Sequence, residues 1–230
     1  NCWSCKRLKY YKALLFGSIG SIVETSEIQR KSFNYAFKKT GLNWIWTREI
    51  YKKLLDSSGG KDRISKYAKE KNIKVNSIKI RNLKTKFFNA YLKKKQIKLR
   101  PGIKLLINKC KKEKIKIAFV SSTSSSNINS ILFSLRKTIK RKDFDFIGNS
   151  KLVKNLKPHP DIYLIALKKL KLKPKDCIAI EDSQESMNSA IKAKIKCIIF
   201  PGKFHFSKKF VGYFKKLKNI NKDIIIKENV

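Results

Sequence analysis

Five short apolar runs punctuate the chain, at 13–16, 116–120, 144–147, 177–181 and 196–200. Each is brief and rich in apolar or β-branched residues, which predicts a strand. The stretches between them read as helical, so parallel strands joined by crossovers are expected, an α/β fold. Residues 27–98 contain no such strand run. From Ser26 to Phe37 apolar side chains return at helical spacing, which predicts an amphipathic helix. The expected layout is a core of 1–23 and 99–230, a helical cap inserted over 24–98, and a basic C-terminal extension over 203–230. In that extension Lys208 and Lys209 recur seven residues before Lys215 and Lys216. The spacing predicts a helix with those lysines on one face and Phe210 and Phe214 on the core side. With 230 residues there is enough chain for a sizeable core. No apolar run reaches the roughly 18 residues of a membrane span.

Several of the apolar runs end in chemistry-bearing residues. Ala13-Leu14-Leu15-Phe16 leads into Gly17-Ser18-Ile19-Gly20-Ser21. Lys116-Ile117-Ala118-Phe119-Val120 leads into the hydroxyls Ser121-Ser122-Thr123. Lys157-Pro158-His159-Pro160-Asp161 follows, and Cys177-Ile178-Ala179-Ile180 leads into the acidic pair Glu181-Asp182. Gly59-Gly60-Lys61-Asp62-Arg63 and Leu99-Arg100-Pro101-Gly102 complete the set.

In this order and spacing the strings resemble the four motifs of the haloacid dehalogenase superfamily, over roughly residues 12–200. The glycine-rich pair, the Leu-Arg-Pro-Gly string and Leu42-Asn43-Trp44-Ile45-Trp46 resemble the CbbY-type sugar-phosphate phosphatases and their plastid relatives. The resemblance implies a Rossmann-like parallel-sheet core with an inserted helical cap. It implies that Ser121 and Lys157 hold phosphate and that Glu181 and Asp182 help to hold Mg²⁺. It also implies that the nucleophilic and acid aspartates of the family fall at Gly17 and Ile19, where this chain has no carboxylate. Covalent catalysis needs the first and leaving-group departure the second, so an inactive protein with an empty relic Mg²⁺ site and no cofactor is expected. A salt bridge between Lys157 and Asp182 is the structural alternative for that pair.

Charge changes the picture next. Lys and Arg number 56 against 16 Asp and Glu, a net charge of +40. An AT-rich genome accounts for Lys over Arg but not for so few acids. Self-repulsion at this charge destabilises a compact monomer, which favours a polyanionic partner. Residues 61–98 alone hold 12 Lys and 2 Arg against Asp62 and Glu70. Aromatic residues sit among the bases, Phe87, Phe88 and Tyr91 in the cap and Phe204, Phe206, Phe210, Tyr213 and Phe214 near the C-terminus. Lysines displace counterions from a phosphate backbone and rings can stack on bases. The RNA-binding candidates are Lys61, Arg63, Lys93, Lys94, Lys95, Lys98, Lys208, Lys209, Lys215 and Lys216.

The remaining features carry less. Cys2 and Cys5 form a C-x-x-C that would need two more ligands to hold zinc. Cys110, Cys177 and Cys197 read as buried packing residues, His159 as a loop residue and His205 as structural. Glu24 reads as a capping or solvated acid beside the cleft. The expected function is a structural, RNA-contacting component of an organellar ribosome, in a mitochondrion, plastid or apicoplast, with rRNA and ribosomal proteins as neighbours. The alternatives are an active sugar-phosphate phosphatase that uses a displaced acid, and a scaffold that senses a phosphorylated metabolite.

Overall fold

The computed structural model describes residues 9–55, 59–205 and 208–227. The sheet is built from β1 (Ala13–Phe16), β2 (Lys116–Val120), β3 (Phe146–Gly148), β4 (Cys177–Glu181), β5 (Lys196–Ile199) and β6 (Lys215–Lys216). Their spatial order is β3-β2-β1-β4-β5-β6, and every pairing is parallel. The crossovers α6 (Ile103–Lys112), α7 (Ser125–Ser134), α8 (Asp161–Leu170) and α9 (Gln184–Lys192) cover the two faces. Parallel strands covered on both faces are apolar at nearly every position, which is why they stood out as continuous runs.

Side chains alternate across each strand and so divide the core in two. Leu14, Phe16, Ile117, Phe119, Ile178 and Ile180 pack with α6 and α7. Ala13, Leu15, Ala118, Val120, Cys177 and Ala179 pack with α8 and α9. The second set is smaller in volume. Cys110, Cys177 and Cys197 are free and buried, as their apolar settings suggested. Cys2 and Cys5 lie outside the described residues.

A short antiparallel bridge between Val23 and Leu99 closes the neck of a helical layer. Beyond it stand α2 (Ser26–Lys39), α3 (Arg48–Leu54), α4 (Gly60–Glu70) and α5 (Ser77–Lys94). This layer has its own core, in which Phe33, Phe37, Trp44, Trp46, Tyr51 and Tyr67 interlock. Phe33 and Trp46 have ring centroids 4.7 Å apart, and Trp44 meets Tyr67 edge-on at 5.2 Å. Asn34 pins the loop before α3 by accepting from the Trp46 N–H at 2.8 Å and donating to the Trp46 carbonyl at 3.1 Å.

Two expectations need correction. The strand expected at 144–147 is formed two residues later, because Phe144 turns into the core and pairing with β2 begins at Phe146. The helix expected over 208–216 is not formed. Lys215 and Lys216 instead pair with Ile198 and Ile199 at the open side of β5, with the Phe214 N–H donating to the Cys197 carbonyl at 2.9 Å. Pairing with the edge of β5 meets backbone N–H and C=O groups that the edge would otherwise leave unpaired, and lysines are usual guards of an edge strand. Phe210 is half-buried against the core, while Phe214 lies exposed under the Lys196 ammonium.

Candidate active site

β1, β2 and β4 are neighbours, and the turns after them open side by side at their carboxyl ends. That is where α/β sheets place their ligand crevices. After β1 the chain runs through Gly17 and Ser18 into α1 (Ile19–Ile22), and the Ser18 hydroxyl accepts from the Ser21 N–H at 3.2 Å. Ser124 and Ser183 cap α7 and α9 in the same way. With the helical layer as its roof, the crevice encloses about 900 Å³.

At the floor, Glu181 ends β4 and is completely buried. Its Oε1 accepts from the Lys157 ammonium at 2.6 Å and from the Tyr163 hydroxyl at 2.5 Å. The same ammonium donates to the Gly17 carbonyl and lies 4.9 Å from the centre of the Tyr163 ring. Burial pushes the Glu181 carboxyl above its ordinary range, opposed by the Lys157 charge. Burial also raises the Tyr163 hydroxyl, with the Glu181 charge adding to it. Glu181 Oε2 finds no hydrogen-bond partner among the described residues. The expected pairing of Lys157 with Asp182 is corrected here: the partner is Glu181, because that carboxylate is the one turned inward from the strand end. Asp182, just past the end of β4, lines the crevice with its carboxylate over Gly20.

Arg100 braces this floor. Its guanidinium donates to the carbonyls of Gly20 and Phe200 at 2.7 Å and of Pro201 at 2.8 Å, and it stacks on the Phe200 ring. Burial lowers its pKa to about 10, opposed by the Asp182 and Glu24 charges. Glu24 is a structural acceptor at the rim, taking the Ser26 N–H at 3.0 Å and the Lys203 N–H at 2.9 Å. Burial would raise its carboxyl, but these hydrogen bonds and Arg100 hold it below the ordinary range.

The roof contributes Gln29, Tyr51, Arg63, Arg81 and Lys84. Arg63 Nε donates to the Leu54 carbonyl at 3.1 Å. Lys84 is buried, donates to Gln29 Oε1, and stands 5.0 Å and 5.1 Å from the Phe33 and Phe88 rings. Burial, with Arg63 and Arg81 nearby, lowers its pKa to about 7.

The structure thus gathers Gly17, Ile19, Ser121, Lys157 and Asp182 around one crevice, with Glu181 beneath it. Ser121 is buried, and its Oγ accepts from the Thr123 N–H at 3.2 Å. Of the basic candidates, Arg63, Lys208 and Lys209 line the crevice. Lys61 is exposed on α4, Lys93, Lys94, Lys95 and Lys98 are exposed at the end of α5 and just after it, and Lys215 and Lys216 are exposed in β6. Lys84, Arg81 and Gln29 were missed. Lys84 sits among apolar positions of α5, and a lysine on a helix's buried stripe was the available signal. His205, read as structural, lines the crevice. Burial lowers its pKa, opposed by Asp182. His159 is exposed in its loop.

A divalent cation is implied by the family resemblance, and the donors present do not fit one. Glu181 Oε1 is committed to Lys157 and Tyr163, and residue 17 brings no side chain. Oε2 of Glu181 is open, but its charge is already met by the ammonium at Oε1. Among the described residues no three His, Cys, Asp or Glu side chains come together. Hard cations such as Mg²⁺ take about six oxygen ligands, usually with carboxylates in the set.

The family model described as haloacid dehalogenase-like hydrolase matches residues 20–200. The chain belongs to this family. The hydrolase relatives include protein CbbY of Cereibacter sphaeroides, 34% identical over 204 residues, covering 87% of this chain and 89% of that one. A crystal structure of CbbY from Rhodobacter sphaeroides in complex with xylulose-(1,5)bisphosphate is similar at a TM-score of 0.81 and 34% identity, covering 91% of this chain and 94% of that one. A plant chloroplast protein is also among the relatives. Suppressor of quenching 1, chloroplastic, of Arabidopsis thaliana is 33% identical over 98 residues, 43% of this chain and 9% of that one.

These findings overturn the expected function. The relatives include CbbY proteins and a phosphorylated carbohydrates phosphatase of Thermotoga maritima, and the matching family model is a hydrolase, which points to phosphatase chemistry in place of a ribosomal role. The expectation that the protein is no enzyme falls with it. The missing carboxylates at Gly17 and Ile19 close one chemical route, yet the crevice keeps its hydroxyl, its cations and a carboxylate. Nor does a charge of +40 specify a nucleic acid, since part of the basic set lines the crevice rather than an outer face.

Proposed function

We propose that this chain binds a phosphorylated sugar in the crevice and hydrolyses its phosphate ester. The observation that carries the reading is the convergence of Ser121 after β2, Asp182 after β4 and Lys157 from the loop before α8 around the end of β1, under a roof holding Arg63 and Lys84. A phosphate group needs hydrogen-bond donors and positive charge, which the Ser121 hydroxyl and Lys157 ammonium supply. The roof cations suit a second anionic group, as on the sugar bisphosphate held by the CbbY neighbour. Because residue 17 offers no nucleophile, water attacks the phosphorus directly. Asp182 takes the proton from that water, the ester P–O bond breaks, and the proton passes to the leaving sugar oxygen. The chloroplastic relative supports an organellar setting for this chemistry, which a fluorescent fusion in the source cell tests.

The experiment is phosphate release from a panel of sugar mono- and bisphosphates. The native chain should release phosphate without retaining ³²P on the protein. Asp182→Asn should lose about 10²-fold or more in kcat, the range a positioned base contributes. Ser121→Ala should chiefly raise KM. Binding of a sugar phosphate with no release by the native chain would leave a metabolite-binding protein and sink the hydrolytic reading.

A further inference from the structure

Residue 17 has no side chain, and the volume it leaves is filled from the neighbouring strand. A Cβ placed on Gly17 would stand 1.8 Å from Glu181 Oε1 and 2.2 Å from the Tyr163 hydroxyl. The Glu181 carboxylate therefore occupies the place that any side chain at the end of β1 would need. It is locked there by Lys157 from the loop before α8 and by Tyr163 from α8 itself. Lys157 in turn bridges that carboxylate to the Gly17 carbonyl. The result is a cation fixed at the strand ends by three separate elements, buried at its side chain to about 5% exposure.

A divalent cation brought to the same strand ends would meet this ammonium a few ångströms away, and like charges at such range repel strongly where water is scarce. It would also have to draw Glu181 away from Lys157, leaving a buried charge unpaired. Cations nonetheless line the crevice: Arg63 and Arg81 in its roof and the Lys157 ammonium at its floor, the last shared with Glu181.

We infer that this crevice takes up the phosphate group without a divalent cation, the Lys157 ammonium standing where a metal would otherwise supply the charge. This rests on the phosphate-ester reading above, and Gly17 and Tyr163 are its positioning residues. The test is calorimetric titration of the full chain with inorganic phosphate, once with about 5 mM Mg²⁺ and once with about 5 mM EDTA, and with Mg²⁺ alone. The affinity for phosphate should agree within about twofold between the two conditions, and Mg²⁺ alone should give no binding heat. Lys157→Arg, which keeps the charge but not the compact fit, should weaken phosphate binding about tenfold in both conditions alike. Phosphate binding that needs Mg²⁺, or Mg²⁺ binding on its own, overturns the inference and leaves the phosphate-ester reading standing. Absence of phosphate binding both with Mg²⁺ and with EDTA overturns both.

Discussion

Lys84 shows what one residue does in this structure. It is an ammonium set between two phenyl rings with a neutral amide as its hydrogen-bond partner and two arginines close by. Its pKa falls from 10.5 to about 7, chiefly through burial. In the unfolded chain the group keeps its ordinary value, so between about 7 and 10.5 the unfolded state binds a proton the folded state does not. Stability then rises with pH across that window, and the cost is fully present below it. Lys84→Met removes the group. It should stabilise the fold by on the order of 3 kcal/mol at pH 6–7 and flatten the difference at high pH. Denaturant melts of both proteins from pH 6 to about 10 check this, and a parallel pair of curves would refute it.

Among the elements, the start of α6 shows how a segment far away in sequence is held. Gly102 caps that helix at φ 83°, the left-handed region that glycine adopts without penalty. A Cβ there would lie 2.1 Å from the Ile220 carbonyl oxygen, a backbone atom that cannot swing aside. The turn thus joins the exit of the helical layer to the C-terminal segment, which also pairs with the N-terminal residues through the Tyr11 N–H and Ile225 carbonyl at 2.9 Å. Gly102→Ala should cost about 2–4 kcal/mol, combining strained backbone with a displaced contact. Loss below about 1 kcal/mol in a urea melt would show that the C-terminal segment is not held against α6.

At the scale of the whole molecule, 56 basic residues face 16 acidic ones. Most cations therefore have no acid to pair with, and the folded state concentrates their mutual repulsion. Salt screens repulsion among exposed lysines, since the Debye length shrinks from about 20 Å to about 6 Å over the range from 20 to 300 mM salt. Tm should accordingly rise by several degrees across that range, and more in phosphate than in chloride at equal ionic strength if the crevice binds the anion. A Tm that falls or stays flat with added salt would contradict the account.

The sequence determined the strands and the order of the chemistry. A parallel strand covered on both faces must be apolar throughout, so 13–16, 116–120 and 177–181 were legible without any partner in view. The residues that follow those runs were then bound to lie together, because parallel strands end on one side of the sheet. What the chain could not disclose was which group meets which across that side. Lys157 pairs with Glu181 and not Asp182 because Glu181, the last residue of β4, fills the space over Gly17, while Asp182, past the strand end, lies over Gly20. Lys215 and Lys216 make a strand because β5 offered an open edge, a fact about position in the sheet and not about their spacing. Lys84 draws its altered chemistry from Phe33 and Phe88, which close around it only once the helical layer has packed. Periodicity is a property of neighbours along the chain; pairing, burial and charge balance belong to neighbours in space, and only the packed molecule decides those.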